Sequence, residues 1–392
     1  MSVIDHNAAP RYRNGVVAQS ESIAHARNGE PALARAPARL DPVHGSVRVA
    51  GWAAELLATA PFQRLAGISL SDVPGELLFG RPFPSRLEHV IGVYHLARLA
   101  RPRDRMVQAA ALAHDLGHGP FSHLTEPLMR EWLGCDHEER AARKLAEVRT
   151  QLSASALRRM AWLDWDEVAA LVVGAGADGR GALLNGQLDY DNIDNVARFL
   201  QAASLGQVEY APTALAKALR LAAPERTGDQ EPDGPRAGAR GNLAEPMYLL
   251  AQAAADALAW QAARRRVYGY LHGDHANLAP HAMLRKAVDL ARADHALPKT
   301  FLDLTDAHAL DCLIGCADRG AAELATRARA GAAQHHRCLW EARVLPYAAT
   351  HRLLPDWRER LALEQELARE AGLAPQDVIL EVLMSRAHRA LP

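Results

Sequence analysis

The stretch RPFPSRLEHVIGVYHLARLARPRDRMVQAAALAHDLGHGPFSH, residues 81–123, decides how the rest of the chain is read. From about Arg86, the apolar positions Leu87, Val90, Ile91, Val93, Leu96 and Leu99 recur at helical spacing, and a second helical run extends from about Asp104 to Leu116. Pro102 punctuates the two helices and Gly117 stops the second. Set into these apolar runs are His89, the adjacent pair His114 and Asp115, then His118 and His123. Polar side chains at such positions need a reason. The short Arg-Pro-Arg connection lets the helices pack antiparallel, which would carry His89 toward the His114-Asp115 pair. Two nitrogens and one oxygen suit a divalent cation of borderline hardness (Mn, Fe, Co, Ni or Zn), with positions left for water and substrate. A fourth ligand is expected from GQLDYDNIDNVARFL, residues 186–200, where Asp191 enters a helix and Asp194 and Asn195 share roughly its face.

Outward from this centre, the chain has 392 residues, 49% of them hydrophobic, enough for a large core, and a formal net charge of -1. That balance argues against a dedicated nucleic-acid binder. No apolar run approaches bilayer length and the first residues lack a signal-peptide core, so no membrane association and a cytoplasmic location are expected. Cys135, Cys312, Cys316 and Cys338 form no CxxC pair and read as reduced thiols. Residues 1–38 read as a flexible arm, and 223–241, rich in Gly, Pro and charge, as a mobile insertion. Leu40 to Trp52 reads as a short hairpin, Ala53 to Ile68 as helix, and Pro74 to Pro84 as loop. The Gly-rich stretch 172–186 reads as a surface loop in front of Asp191; it lacks the preceding strand and following helix start of a phosphate loop. Nearly everything else has helical spacing, so the fold class is all-α with one short β element.

In that order, SRLEH (85–89), AHDLGHGPFSH (113–123) and LDYDNIDN (188–195) resemble the H…HD…D signature of the HD-domain metal phosphohydrolases. The branch they resemble contains the bacterial deoxyguanosine triphosphatases and the SAM- and HD-domain deoxynucleotide triphosphohydrolase. The likeness extends to LDPVHGSVRVAGWAAELLATAPFQRLAGI (40–68) and RRRVYGYLHGDHANLAPHAMLRKAV (264–288). It implies a helical bundle with an HD-domain core at 39–222 and a helical part completing the fold at 242–345; beyond it, helical spacing gives closing helices at 346–392. It also implies His89, His114, Asp115 and Asp191 as ligands of a divalent metal, Mg included. His123, oriented by Glu126, would be the proton donor, with His118 and His137 beside it. Arg86, Asn192, Asn195 and Tyr268 would contact substrate.

The departures from the family pattern shape the functional expectation. Asn192, Asn195 and Phe199 stand where the triphosphate hydrolases carry a lysine, a tyrosine and an acid, and Trp260 falls near the place of an arginine that grips the terminal phosphate. Arg64 is kept, while Ala66 and Leu70 replace an arginine and a glutamine that read nucleotide. The expected activity is therefore metal-dependent hydrolysis of a nucleoside monophosphate or related phosphomonoester. A deoxynucleoside triphosphate triphosphohydrolase is the alternative, with an HD oxygenase holding two irons and an inactive nucleotide sensor behind it. The expected partner is a nucleotide or other phosphorylated small molecule; homo-oligomerisation stays open.

Overall fold

The computed structural model describes residues 38–176, 178–221, 247–331 and 356–381, and among them sixteen α-helices and two two-stranded sheets. Strands β1 (Ala38–Asp41) and β2 (Gly45–Arg48) form an antiparallel hairpin in the register Ala38 to Arg48. Asp41 Oδ1 accepts from the amides of Val43 and His44, both at 2.9 Å, and so holds the turn.

Helices α1 (Gly51–Leu57) and α2 (Ala60–Arg64) follow, and α3 is Gly75–Phe79. The central helix α4 (Arg86–Ala100) starts from a capping box, the Ser85 side chain accepting from the Glu88 amide while Glu88 reaches back to the Ser85 amide. Every residue from His89 to Ala97 is buried, so α4 is an interior helix and has no polar face. It packs against α5 (Arg105–Ala113), α10 (Tyr190–Ala202) and α11 (Pro212–Ala218). Between these lie α6 (Glu126–Leu133), α7 (His137–Gln151), α8 (Ala154–Arg159) and α9 (Trp165–Val172). Beyond them come β3 (Leu219–Leu221), paired with β4 (Met247–Leu249), then α12 (Ala254–Gly273), α13 (His275–Ala293), α14 (Asp306–Ile314), α15 (Arg319–Arg329) and α16 (Trp357–Ala371).

The buried apolar residues divide into two clusters. One surrounds α4, α5 and α10 and includes Val93, Leu96, Leu112, Ile193 and Trp260. The other joins Phe121, Leu124 and Leu128 to α13, α14 and α15. The metal-ligand candidates sit in the first cluster, and the loop carrying His123 is anchored in the second.

Several local expectations need correction. The run 53–68 is broken at Ala58-Thr59, because Pro61 near the start of α2 removes a donor that a continuous helix would need. The segment 74–84 contains α3, with Pro74 as its N-cap. The second helix of the opening stretch ends at Ala113, so His114 is its C-cap residue. A second β element, β3 with β4, flanks the 223–241 region where one hairpin alone was expected. The stretch 172–186 is not merely a surface loop: Gly181, Leu183 and Leu184 are buried and Leu184 to Gly186 line the cleft described below. The N-terminal arm through Pro37, the insertion 223–241, Cys338 and residues 382–392 lie outside the described residues. No described helix is long and apolar enough to cross a membrane.

Candidate metal centre and proton-transfer cluster

His89 leaves α4 in its first turn, His114 and Asp115 leave the end of α5, and Asp191 leaves the first turn of α10. The structure brings these four expected residues together. His89 Nε2 is 2.9 Å from Asp191 Oδ1 and 3.7 Å from Asp115 Oδ2. His114 Nε2 is 3.6 Å from Asp115 Oδ1 and 3.8 Å from Asp191 Oδ1. Such spacings are those of neighbouring ligands around one ion, since donors about 2.1 Å from a metal lie roughly 3 Å or more from each other.

The far side of each imidazole tests the fit. His89 Nδ1 donates to Asp194 Oδ2 at 2.7 Å, and His114 Nδ1 donates to the Ala111 carbonyl at 2.9 Å. Both Nε2 lone pairs are thereby turned on each other at 3.3 Å, an arrangement that repels unless a positive charge stands between them. Burial works against a charged His89, yet its hydrogen bonds to Asp191 and Asp194 hold the imidazole up at about 10. A proton can occupy the place that a cation would take. The donor set fits a divalent ion.

Asp194 is fully buried and accepts from Arg198 Nε at 2.9 Å and Nη2 at 2.8 Å, and its Oδ1 lies 2.6 Å from His44 Nε2. Arg198 in turn reaches Asp41 at 3.0 Å, so the β1–β2 turn is tied to the metal centre. Burial would raise Asp194, but Arg198, His44 and His89 hold it well below the usual carboxylate range. Sequence reasoning placed Asp194 beside Asp191 without this role, and left His44 inside a resemblance. The spacing of Asp194 and Arg198, one turn apart on α10, was the available signal.

The second cluster is adjacent. His118, His123, Glu126 and His137 present donor atoms all within 4.8 Å of one another. Glu126 Oε1 accepts from His123 Nδ1 at 2.8 Å and from His137 Nδ1 at 2.5 Å. His118 stacks on His137 with centroids 4.0 Å apart, and its Nε2 lies 3.1 Å from Asp115 Oδ1, linking the two clusters. His118 is fully buried, and neither of its ring nitrogens has an aligned hydrogen-bond partner among the described residues. Burial, then Arg86 and His137, hold it well below the usual imidazole value, so it is neutral. His123 is the reverse case. Desolvation opposes its charge, but Glu126 outweighs that and raises it, while half of its side chain stays exposed. Burial would raise Glu126, yet the two imidazoles it receives from hold it far below its ordinary value.

Arg86 is buried between the clusters, its guanidinium on Asp115 Oδ2 and its Nε donating to Ser122 Oγ at 2.8 Å. Asn192 donates to Asp189 Oδ1 at 3.0 Å and lines a cleft of about 70 Å³ with His114, His137, Glu138, Asn185 and Asp189. Burial, and then Asp191, push Asp189 well above the usual carboxylate range. Asn195 is not among the cleft residues, and Tyr268 packs against the first cluster under the Arg264 guanidinium, 4.3 Å away. Those two expected substrate residues are not brought to the cleft.

Residues 86–204 match the HD domain family. The chain is 37% identical over 117 residues to the deoxynucleoside triphosphate triphosphohydrolase SAMHD1 of Bos taurus, covering 25% of this chain and 20% of that protein. Over 114 residues it is 38% identical to the uncharacterized protein YwfO of Bacillus subtilis, 25% of either chain. It thus spans about a fifth to a quarter of the length of these relatives. A crystal structure of a phosphohydrolase from Bacteroides thetaiotaomicron superposes with a TM-score of 0.59 at 18% identity, covering 88% of this chain and 85% of that one. A hypothetical protein from Aquifex aeolicus gives 0.58 at 20% identity, over 83% and 82%. At those identities the likeness is one of fold.

Proposed function

We propose, from the HD-domain match over residues 86–204, that this chain is a metal-dependent hydrolase of a phosphomonoester, a nucleoside monophosphate first. The observation that carries the reading is the junction at His118, whose Nε2 lies 3.1 Å from Asp115 of the His89-His114-Asp115 group and which itself belongs to the group of His118, His123, Glu126 and His137. His89, His114, Asp115 and Asp191 would hold a divalent cation, which would supply Lewis acidity toward a phosphoryl oxygen and toward water. His123 donates its proton to the departing oxygen, and Glu126 keeps that imidazole charged and fixed in orientation. Arg86, already beside Asp115, balances negative charge as it builds on the phosphoryl group.

The choice of a monophosphate is supported by what lines the cleft. Glu138, Asp189 and Asp191 are there, with no lysine or arginine among the described lining residues. Phe199 is buried against Phe83, rings 4.9 Å apart, and Trp260 is buried with its indole donating to the Asn192 carbonyl at 3.3 Å. Each charge-assisted contact to a phosphate is worth on the order of 1.5–3 kcal/mol, so a triphosphate finds little to offset its charge. The SAMHD1 relative is named for triphosphate hydrolysis, which makes that activity the second reading.

A screen of nucleoside mono-, di- and triphosphates with Mn²⁺, Mg²⁺ and Co²⁺ tests the choice. Release of inorganic phosphate and nucleoside from monophosphates, with the highest kcat/KM, is expected. Release of intact tripolyphosphate from a deoxynucleoside triphosphate, faster than the best monophosphate reacts, overturns it.

A further inference from the structure

The loop that carries His123 turns through two adjacent non-glycine residues in the left-handed region, Phe121 at φ 59° and Ser122 at φ 51°. Such a pair persists only where the surroundings over-determine it. Here the peptide groups on both sides are held by carboxylates. The Phe121 amide donates to Asp306 Oδ1 at 2.7 Å, and the His123 amide donates to Asp72 Oδ1 at 3.0 Å.

Asp306 is the buried one of the two and stands 185 residues from Phe121 in sequence. Its second oxygen accepts from the Ser69 amide at 2.7 Å. The Ser69 carbonyl accepts from Ser122 Oγ at 2.7 Å, and that same hydroxyl receives Arg86 Nε. One carboxylate therefore sets both backbone segments between which the Ser122 hydroxyl and the Arg86 guanidinium are aligned. Asp306 is not needed as the cap of α14, because Thr305 is the N-cap and accepts from the His308 amide. Burial pushes the Asp306 carboxyl up to about 7 in spite of its two amide donors.

We propose that Asp306 is a positioning residue: it clamps the Phe121-Ser122 turn so that Arg86 and His123 face the same phosphoryl group. A helix outside the matched HD segment thereby belongs to the reaction site. The proposal rests on the assignment of proton transfer to His123 and charge balance to Arg86.

Asp306→Asn keeps the shape but sets an amide N–H against one of the two backbone donors. Its control is Leu313→Ala, a fully buried residue on the same helix with no part in the clamp. With the best phosphomonoester and Mn²⁺ as probes, Asp306→Asn is expected to lower kcat roughly ten- to a hundredfold below the control, with KM and bound metal near those of the unmodified protein. Amide exchange across 119–125 is expected to be faster than in the control when the two are compared at equal distance below their melting temperatures. Equal kcat and equal exchange in the two variants would reduce Asp306 to a stability role and overturn the proposal. Should the unmodified chain hydrolyse no phosphomonoester, it is the hydrolase reading that fails, and the exchange comparison still decides the clamp.

Discussion

Glu126 is shared by two imidazoles, and its removal separates positioning from proton supply. Glu126→Gln keeps a hydrogen-bonding oxygen but deletes the charge that raises His123 above its ordinary value. The imidazolium then loses its proton at lower pH, so the alkaline limb of kcat/KM should move to lower pH while the maximum drops about ten- to a hundredfold. A pH profile of the variant checks this; an unmoved alkaline limb means that another group supplies the proton. At this scale the convergence of His89, His114, Asp115 and Asp191 was legible in the sequence, because they sit at the starts and ends of helices in a fixed order. The Asp194–His44 and Asp306–Phe121 contacts were not, since they join residues 150 and 185 positions apart with no local pattern to announce them. Asn195 and Tyr268 were carried over from a resemblance, and the geometry gives them no place in the cleft.

The helices explain why the candidate metal donors can meet. Where α4 crosses α10, a Cβ on Gly92 would stand 2.0 Å from Asp194 Oδ1 and 2.5 Å from an Arg198 nitrogen. Glycine in a helix interior ordinarily weakens it by roughly 0.5–1 kcal/mol relative to alanine, so Gly92→Ala would be stabilising if α4 stood alone. In the fold the sign reverses. Gly92→Ala should push Asp194 off His89, lower the melting temperature and weaken metal affinity about ten- to a hundredfold, which a melt and a metal titration together measure. An alanine variant as stable and as metal-loaded as the parent would contradict the close approach. Long interior helices were legible from apolar spacing, whereas α3, five residues long beside Pro74, and the break between α1 and α2 fell below what periodicity resolves. The cleft wall at 184–186 was missed for a related reason: a Gly-rich composition describes backbone freedom and says nothing about what the backbone packs against.

Across the whole molecule, the candidate metal donors come from α4, the end of α5 and α10, so an ion bound by them would link binding to folding. At an ion concentration a hundred times its Kd, the linkage is worth about 2.7 kcal/mol. A chelator should therefore lower the melting temperature of the parent and leave that of Asp115→Ala nearly unchanged; a parent that melts identically with and without chelator would argue that no ion bridges the helices. The all-α class was legible from composition and spacing. The division of the interior into two apolar clusters was not, because it depends on which helices meet across long sequence separations.

That division has a bearing on how such a chain can vary. The proposed cation site hangs from one interior and the proposed proton donor from the other, and the seam between them is stitched by Arg64, which donates to the carbonyls of Leu304 and His118, and by Asp306 and Ser122. Replacing either interior by that of a relative could preserve two well-filled cores and still misalign the reacting groups by an ångström. The two halves are thus free to drift in composition but not in mutual registry, and the small set of seam residues is where a hybrid of two such chains would first lose turnover while keeping its shape.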